Sequence, residues 1–179
     1  MRSLKGTVDY YLVLGRWWEG YFDLVGWSDS NWAQDTNDCR STSSFIFDVA
    51  GSSIAWSSKK QTTVATSSVE AEYVASANAT KEAVWLHILL TELDFPPTQA
   101  TVIHADNLEY IALANNPVSH SRAKHINIKH HFICKKIECH EVRLDYVSTK
   151  NMLADVFTKA LPREVFKKFH TQLGILPPE

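Results

Sequence analysis

A chain of 179 residues that is 45% hydrophobic and carries six tryptophans has the material for one packed domain with a short extra segment, which excludes a disordered chain. No apolar run approaches the roughly 20 residues a membrane helix needs, and the N-terminal MRSLKGTVDYYLVLG lacks the apolar stretch and small-residue cleavage site of a secretory signal. The net charge of −2 hides an asymmetry, one Lys or Arg against seven Asp or Glu in residues 61–119 and eleven against six in residues 120–179, which fits a phosphate-binding face opposite an acidic site as well as ordinary surface solubilisation.

The first strong pattern is Leu24-Val25-Gly26-Trp27-Ser28-Asp29, an apolar run turning polar, which predicts a buried strand ending at Asp29. Ser44–Val49 and Ser53–Trp56, around Ala50-Gly51-Ser52, predict a hairpin. Val69 to Leu93 holds no Gly or Pro and predicts a long helix that ends before Pro96-Pro97, with Tyr73, Ala77, Val84 and Ile88 on one apolar face. Ala100–Asp106 predicts a fourth strand, Leu108–Asn115 a short helix, residues 124–139 an amphipathic helix and Val142–Val147 a fifth strand. Asn151–Lys159 and Arg163–Leu173 read as two closing helices, the second stopped at Gly174. This order gives an α/β fold with a five-stranded mixed sheet flanked by helices, its first three strands an antiparallel meander and the fourth joined through a helical crossover.

Asp29 and Asp106 each end a strand and precede a polar residue, Ser30 and Asn107. In α/β sheets the carboxyl ends of strands collect ligands. Two aspartates placed side by side there repel each other unless a cation lies between them, and magnesium is the usual hard cation for oxygen ligands. Taken singly, each is equally readable as a turn former or cap. Ser67-Ser68-Val69-Glu70 has the spacing of a capping box, with Ser67 as N-cap and Glu70 folded back onto its amide. Glu72 lies about 200° around the helix from Glu70, so the two cannot face one site, and Glu72 is the free carboxylate. Asp155 alone reads equally as a first-turn charge on its helix.

Those residues belong to blocks that resemble the ribonuclease H of copia-type retrotransposons. The blocks are Trp27-Ser28-Asp29-Ser30-Asn31-Trp32, Arg40-Ser41-Thr42-Ser43, Ile54 to Gln61, Ser67-Ser68-Val69-Glu70-Ala71-Glu72-Tyr73, Ala105-Asp106-Asn107, Lys124-His125-Ile126 through His131-Phe132, and Ala154 to Lys159. They run in the family's order over nearly the whole chain. Leu4-Lys5-Gly6-Thr7 resembles the connection that follows the reverse transcriptase in such Pol polyproteins, so residues 1–20 are expected to be a connection segment and residues 21–179 a ribonuclease H domain with a C-terminal helical extension. The resemblance implies a ribonuclease H-like fold, a site of Asp29, Glu72, Asp106 and Asp155 holding two Mg2+ ions (Mn2+ as a substitute), and cleavage of the RNA strand of RNA–DNA hybrids during reverse transcription. It implies as partners the hybrid and the reverse transcriptase domain of the same polyprotein, with no membrane, and a cytoplasmic location or a virus-like particle. Residues expected to touch nucleic acid are Ser30, Asn107, Lys124, His125, Lys129, Lys135 and Lys136.

The chain departs from many relatives at Asn31, Gln34 and Ser44, where Asp, Gly and Gly are common, and the last exchange is expected to cost some stability. Cellular ribonucleases H often carry a mobile histidine before the final aspartate, and Tyr146-Val147-Ser148-Thr149-Lys150 offers none. Among rival readings, His130, His131, Cys134, Cys139 and His140 lack a zinc-site spacing, and an odd count of three cysteines suggests no disulfide framework. Tryptophans 17, 18, 27, 32, 56 and 85 read as core or sheet-face packing rather than as stacking platforms. A non-catalytic nucleic-acid-binding remnant and a nuclease or strand-transfer domain of the same superfamily are the functional alternatives.

Overall fold

The computed structural model describes residues 8–15, 23–35, 37–116 and 124–177, with the side chains of 124–127 outside that description. A two-residue strand β1 (Tyr11–Leu12) is followed by β2 (Leu24–Asn31), β3 (Thr42–Val49) and β4 (Ser52–Lys60), and then by the long helix α1 (Ser68–Glu92). After it come β5 (Thr101–Ala105), α2 (Leu108–Asn115), α3 (Lys124–Glu138), β6 (Val142–Tyr146), two 3-10 segments at Thr149–Asn151 and Leu153–Phe157, α4 (Arg163–Gln172) and β7 (Ile175–Leu176).

The main sheet has the order β4-β3-β2-β5-β6. β2, β3 and β4 pair antiparallel, while β5 runs parallel to both β2 and β6, as the strand pattern predicts. The tight turn at Ala50-Gly51 has positive φ at both residues, 51° and 71°, the backbone twist that suits a two-residue hairpin. In β2, the Phe47 ring lies over Gly26 so closely that a Cβ there would sit 2.4 Å from a ring atom, which is why that strand position has no side chain.

Two cores hold the layers together. On one face of the sheet, α1 packs through Ala71, Ala75, Ala79 and Ala83, a ridge of small side chains at a spacing of four that lets the helix lie close, with Leu86 and Leu90 continuing it. Phe47, Tyr73, Ile103, Tyr110, Ile133 and Leu144 fill the space around it. Of the face named from the sequence, Tyr73 and Ala77 are buried and Ile88 is exposed. On the opposite face, Ile46, Leu153, Phe169 and Leu173 form a smaller core joined by Trp27. Each large apolar side chain so buried contributes roughly 1.5–3 kcal/mol.

Three elements differ from the sequence-based expectation. β2 runs two residues beyond Asp29, to Asn31. The stretch read as a helix over Asn151–Lys159 is instead two 3-10 segments separated by Met152, which is extended (φ −76°, ψ 97°). Side chains of the sheet capture its carbonyls: Ser44 Oγ donates to Ala154 O at 3.0 Å, Ser58 Oγ to Phe157 O at 2.8 Å and Asn31 Nδ2 to Thr158 O at 2.8 Å. Carbonyls tied to the sheet are not aligned for successive i to i+4 bonds, so the segment winds more tightly. β1, inside the stretch expected to be a connection, pairs antiparallel with β7, and Val13 N donates to Gly174 O at 2.9 Å. Finally, Trp32, Trp56 and Trp85 are 52%, 56% and 53% exposed, so of the described tryptophans Trp27 alone packs into a core. Among the described residues, no helix is long and apolar enough to cross a membrane.

Candidate metal centre and active site

β2 and β5 lie side by side and run parallel, and their ladder closes at the pair Trp27–His104, two residues before Asp29 and Asp106. Beyond that pair the strands no longer bond, leaving a crevice at their carboxyl ends into which both aspartates project. Glu72 enters from α1 on one face of the sheet. Ligand oxygens of Asp29, Glu72 and Asp106 lie within 4.8 Å of one another, the first two residues buried and Asp106 half-buried. The three are among the four carboxylates expected from the sequence.

Glu70 and Glu72 point to different surroundings. Ser67 Oγ accepts from Glu70 N at 3.1 Å, as a capping residue should. Glu70 folds back toward the helix start, accepting from Thr66 N at 2.7 Å and Thr66 Oγ1 at 2.6 Å. Glu72 Oε1 accepts from Ser30 Oγ at 3.0 Å and Ser30 N at 3.3 Å, while Oε2 is buried with no hydrogen-bond partner among the described residues. Burial, and then the neighbouring charges of Asp29 and Asp106, push the Glu72 carboxyl up to about 8. A buried carboxylate with one bare oxygen beside two aspartates is costly unless a cation joins it. The site therefore fits a hard divalent ion by its donor set, three carboxylates and an orphaned oxygen.

Asp155 reaches the same crevice from the other face, on the second 3-10 segment, but contributes no ligand atom to the group of three. Its Oδ1 accepts from Lys159 Nζ at 2.7 Å, and the same ammonium is 3.4 Å from Asp29 Oδ1. Burial raises the Asp155 carboxyl above its ordinary range, an effect that the hydrogen bond from Lys159 offsets only in part. For Lys159, burial pulls downward, but the bond to Asp155 and the charges of Asp29, Asp155 and Asp106 outweigh it and hold the amine charged. Thr158 Oγ1 donates to Asp29 Oδ2, and Thr149 Oγ1 to Asp106 Oδ2 at 2.8 Å. Lys159, Thr158 and Thr149 are absent from the sequence-based site. The signal for Lys159 was there, an acid four residues before a base.

The expected nucleic-acid contacts divide. Ser30 is spent on Glu72, and Asn107 caps α2 by accepting from Tyr110 N at 2.9 Å. Lys136 is paired with Glu141 at 2.7 Å, whereas Lys135 is exposed on the last turn of α3. Lys129 lines a cavity of about 280 Å³ with Lys59, Gln61, Thr62 and Asn78, so β4 supplies a basic neighbour that sequence reading missed. The side chains of Lys124 and His125 lie outside the described residues. His130 and Cys134 meet the end of α2, the thiol donating to Ala114 O at 3.1 Å and the ring lying 3.4 Å from Leu113 O, and the thiol is 3.5 Å from His130 Nε2. Cys39, Cys134 and Cys139 are all free thiols, as their odd number suggested.

No protein-family model matches the sequence. Over 98% of its length the chain is 41% identical to a retrovirus-related Pol polyprotein from transposon RE2 of Arabidopsis thaliana, of whose length it spans 12%. Among solved structures, it is similar to LC11 ribonuclease H1 in complex with an RNA/DNA hybrid, at 16% identity with a TM-score of 0.54, covering 76% of this chain and 94% of that one. It is also similar to the foamy viral protease-reverse transcriptase in complex with an RNA/DNA hybrid, at 15% identity with a TM-score of 0.57, covering 83% of this chain and 20% of that one. The fold is thus ribonuclease H-like, and the homologues are transposon Pol polyproteins.

Proposed function

From a ribonuclease H-like fold and homology to transposon Pol polyproteins over nearly the whole chain, we propose that this protein is a Mg2+-dependent endonuclease that hydrolyses the RNA strand of RNA–DNA hybrids during retrotransposon reverse transcription. The observation that carries the reading is the Asp29–Glu72–Asp106 group, with ligand atoms within 4.8 Å and Glu72 Oε2 unpartnered. The proposed division is one ion on Asp29, Glu72 and Asp106 and a second shared by Asp29 and Asp155. Bound there, magnesium or manganese would supply a lowered pKa for the attacking water and charge stabilisation for the leaving 3′ oxygen.

The chain's own residues set the frame for that chemistry. Ser30 fixes Glu72 Oε1 and leaves Oε2 without a hydrogen-bond partner among the described residues. Thr158 and Thr149 each hold one oxygen of Asp29 and Asp106, which limits rotation of both carboxylates. With no histidine in the Tyr146–Lys150 stretch, Thr149, Thr158 and Lys159 are the donors beside the carboxylates. Lys59 and Lys129, which line one cavity, and the exposed Lys135 are the proposed contacts to the hybrid's phosphates, and selection for RNA rests on its 2′-hydroxyls in the wide minor groove.

The reading includes a reverse transcriptase domain of the same polyprotein as partner, with residues 1–20 as the connection to it, and a cytoplasmic or virus-like-particle location. It is tested by incubating the chain with a labelled RNA–DNA hybrid, duplex DNA and duplex RNA in Mg2+. The expected result is RNA cleavage in the hybrid alone, abolished in Asp106→Asn while hybrid binding persists. Binding with no Mg2+-dependent cleavage would identify an inactive remnant, and cleavage of DNA a different nuclease of the superfamily.

A further inference from the structure

The crevice treats its two sides unequally. On the α1 side, Glu72 Oε2 is buried and has no hydrogen-bond partner among the described residues. On the other side, Asp155 Oδ1 already holds a cation, the Lys159 ammonium at 2.7 Å, which also lies 3.4 Å from Asp29 Oδ1. The segment that presents Lys159 is clamped, because Asn31 Nδ2 donates to Thr158 O at 2.8 Å and Lys159 N donates to Asp155 O at 2.9 Å. The lysine side chain itself is 34% exposed and joined by a long flexible stem, so its head can leave without moving that backbone.

We infer that Lys159 is a built-in competitor for the metal: its ammonium occupies the position between Asp29 and Asp155 that a divalent ion shared by those two carboxylates needs, and that ion binds only by displacing it. The inference rests on the metal-dependent reading proposed above. Two positive centres cannot share the same carboxylate oxygens at hydrogen-bonding distance, so each lowers the other's affinity. The consequence is an ordered site. The cation on Asp29, Glu72 and Asp106 meets the unpartnered Glu72 Oε2 and binds first, whereas the cation on Asp29 and Asp155 is weakened by the cost of releasing the short charge-assisted hydrogen bond from Lys159 to Asp155. The lysine keeps the second pair neutralised until the divalent ion is abundant.

The test is a Mn2+ titration of the chain, read by calorimetry and by the spin-resonance signal of free Mn2+, for the wild type, Lys159→Met, Lys159→Gln, Lys159→Arg and Asp155→Asn. The wild type is expected to show two classes of site, with the weaker one lost in Asp155→Asn. Lys159→Met and Lys159→Gln are expected to tighten the weaker class about tenfold and the tighter one, which shares Asp29 with the lysine, by less, while Lys159→Arg keeps the wild-type pattern. A merely structural lysine would weaken both classes on removal, and that result overturns the inference, as does an unchanged second class. Should both neutral variants fail to fold, the wild type still decides, because two sites of equal affinity contradict the competition. Absence of any Mn2+ binding in the wild type would instead remove the metal-dependent reading itself.

Discussion

The two walls of the crevice are built by different means. The α1 wall places Glu72 on a 25-residue helix whose alanine ridge lies flat on the sheet, and it brings Glu72, Asp29 and Asp106 together with one oxygen bare. The opposite wall places Asp155 on a short 3-10 segment held by three side chains of the sheet and covers it with Lys159. A rigid regular element gives an open ligand set, and an irregular tethered one gives a masked ligand. The difference teaches where the site is prepared in advance and where it has to rearrange.

The largest way to break that comparison is Glu72→Gln, which removes a charge from the prepared wall. Hybrid cleavage at saturating Mg2+ is expected to fall about a thousandfold or more, while Asp155→Asn costs about ten- to a hundredfold. Equal losses would erase the distinction between the walls.

The same glutamate makes a prediction about stability. Its folded pKa of about 8 exceeds the ordinary 4.5, so the folded state binds the proton more tightly than the unfolded one. The favourable contribution of the neutral carboxyl is complete below about pH 4.5 and is lost as pH rises through about 8. In EDTA, urea unfolding should therefore show stability declining across that window by several kcal/mol, and Glu72→Gln should flatten the decline. Mg2+ should reverse the decline in the wild type, since the metal takes the place of the proton, and its apparent affinity should rise with pH up to about 8.

A smaller effect probes the tethered wall. Ser44→Gly restores the residue common in relatives but removes the bond to Ala154 O, and thermal unfolding should register a loss of about 1 kcal/mol. Smaller still, Ser67→Ala should cost about 0.5–1 kcal/mol through the lost N-cap without altering cleavage, because it acts on the helix and leaves the carboxylates in place.

How much of this was legible in the sequence follows the same division. Strand alternation and the capping box at Ser67 act locally, so five strands, a mixed sheet with its first three antiparallel, and Glu72 rather than Glu70 as the free carboxylate were readable from periodicity and spacing. The carboxylates as a set leaned also on the family resemblance. The 3-10 form of residues 153–157 could not, because it depends on Ser44, Ser58 and Asn31, each about a hundred residues away or more in the chain. Ser44 was expected only to cost stability where relatives have glycine, yet it holds the Asp155 segment to the sheet. Likewise Ser30 and Asn107 looked like substrate contacts because they follow the aspartates, whereas a carboxylate and a helix end claim them first. The β1–β7 pair was illegible for the same reason, being a contact between the two ends of the described chain.

The most direct measurement is anomalous diffraction from a crystal soaked in Mn2+ at pH 8. A first peak at low Mn2+ bounded by Asp29, Glu72 and Asp106, absent in Glu72→Gln crystals, is the predicted result. A peak that ignores Glu72, or no peak in the crevice at any concentration, would contradict the account.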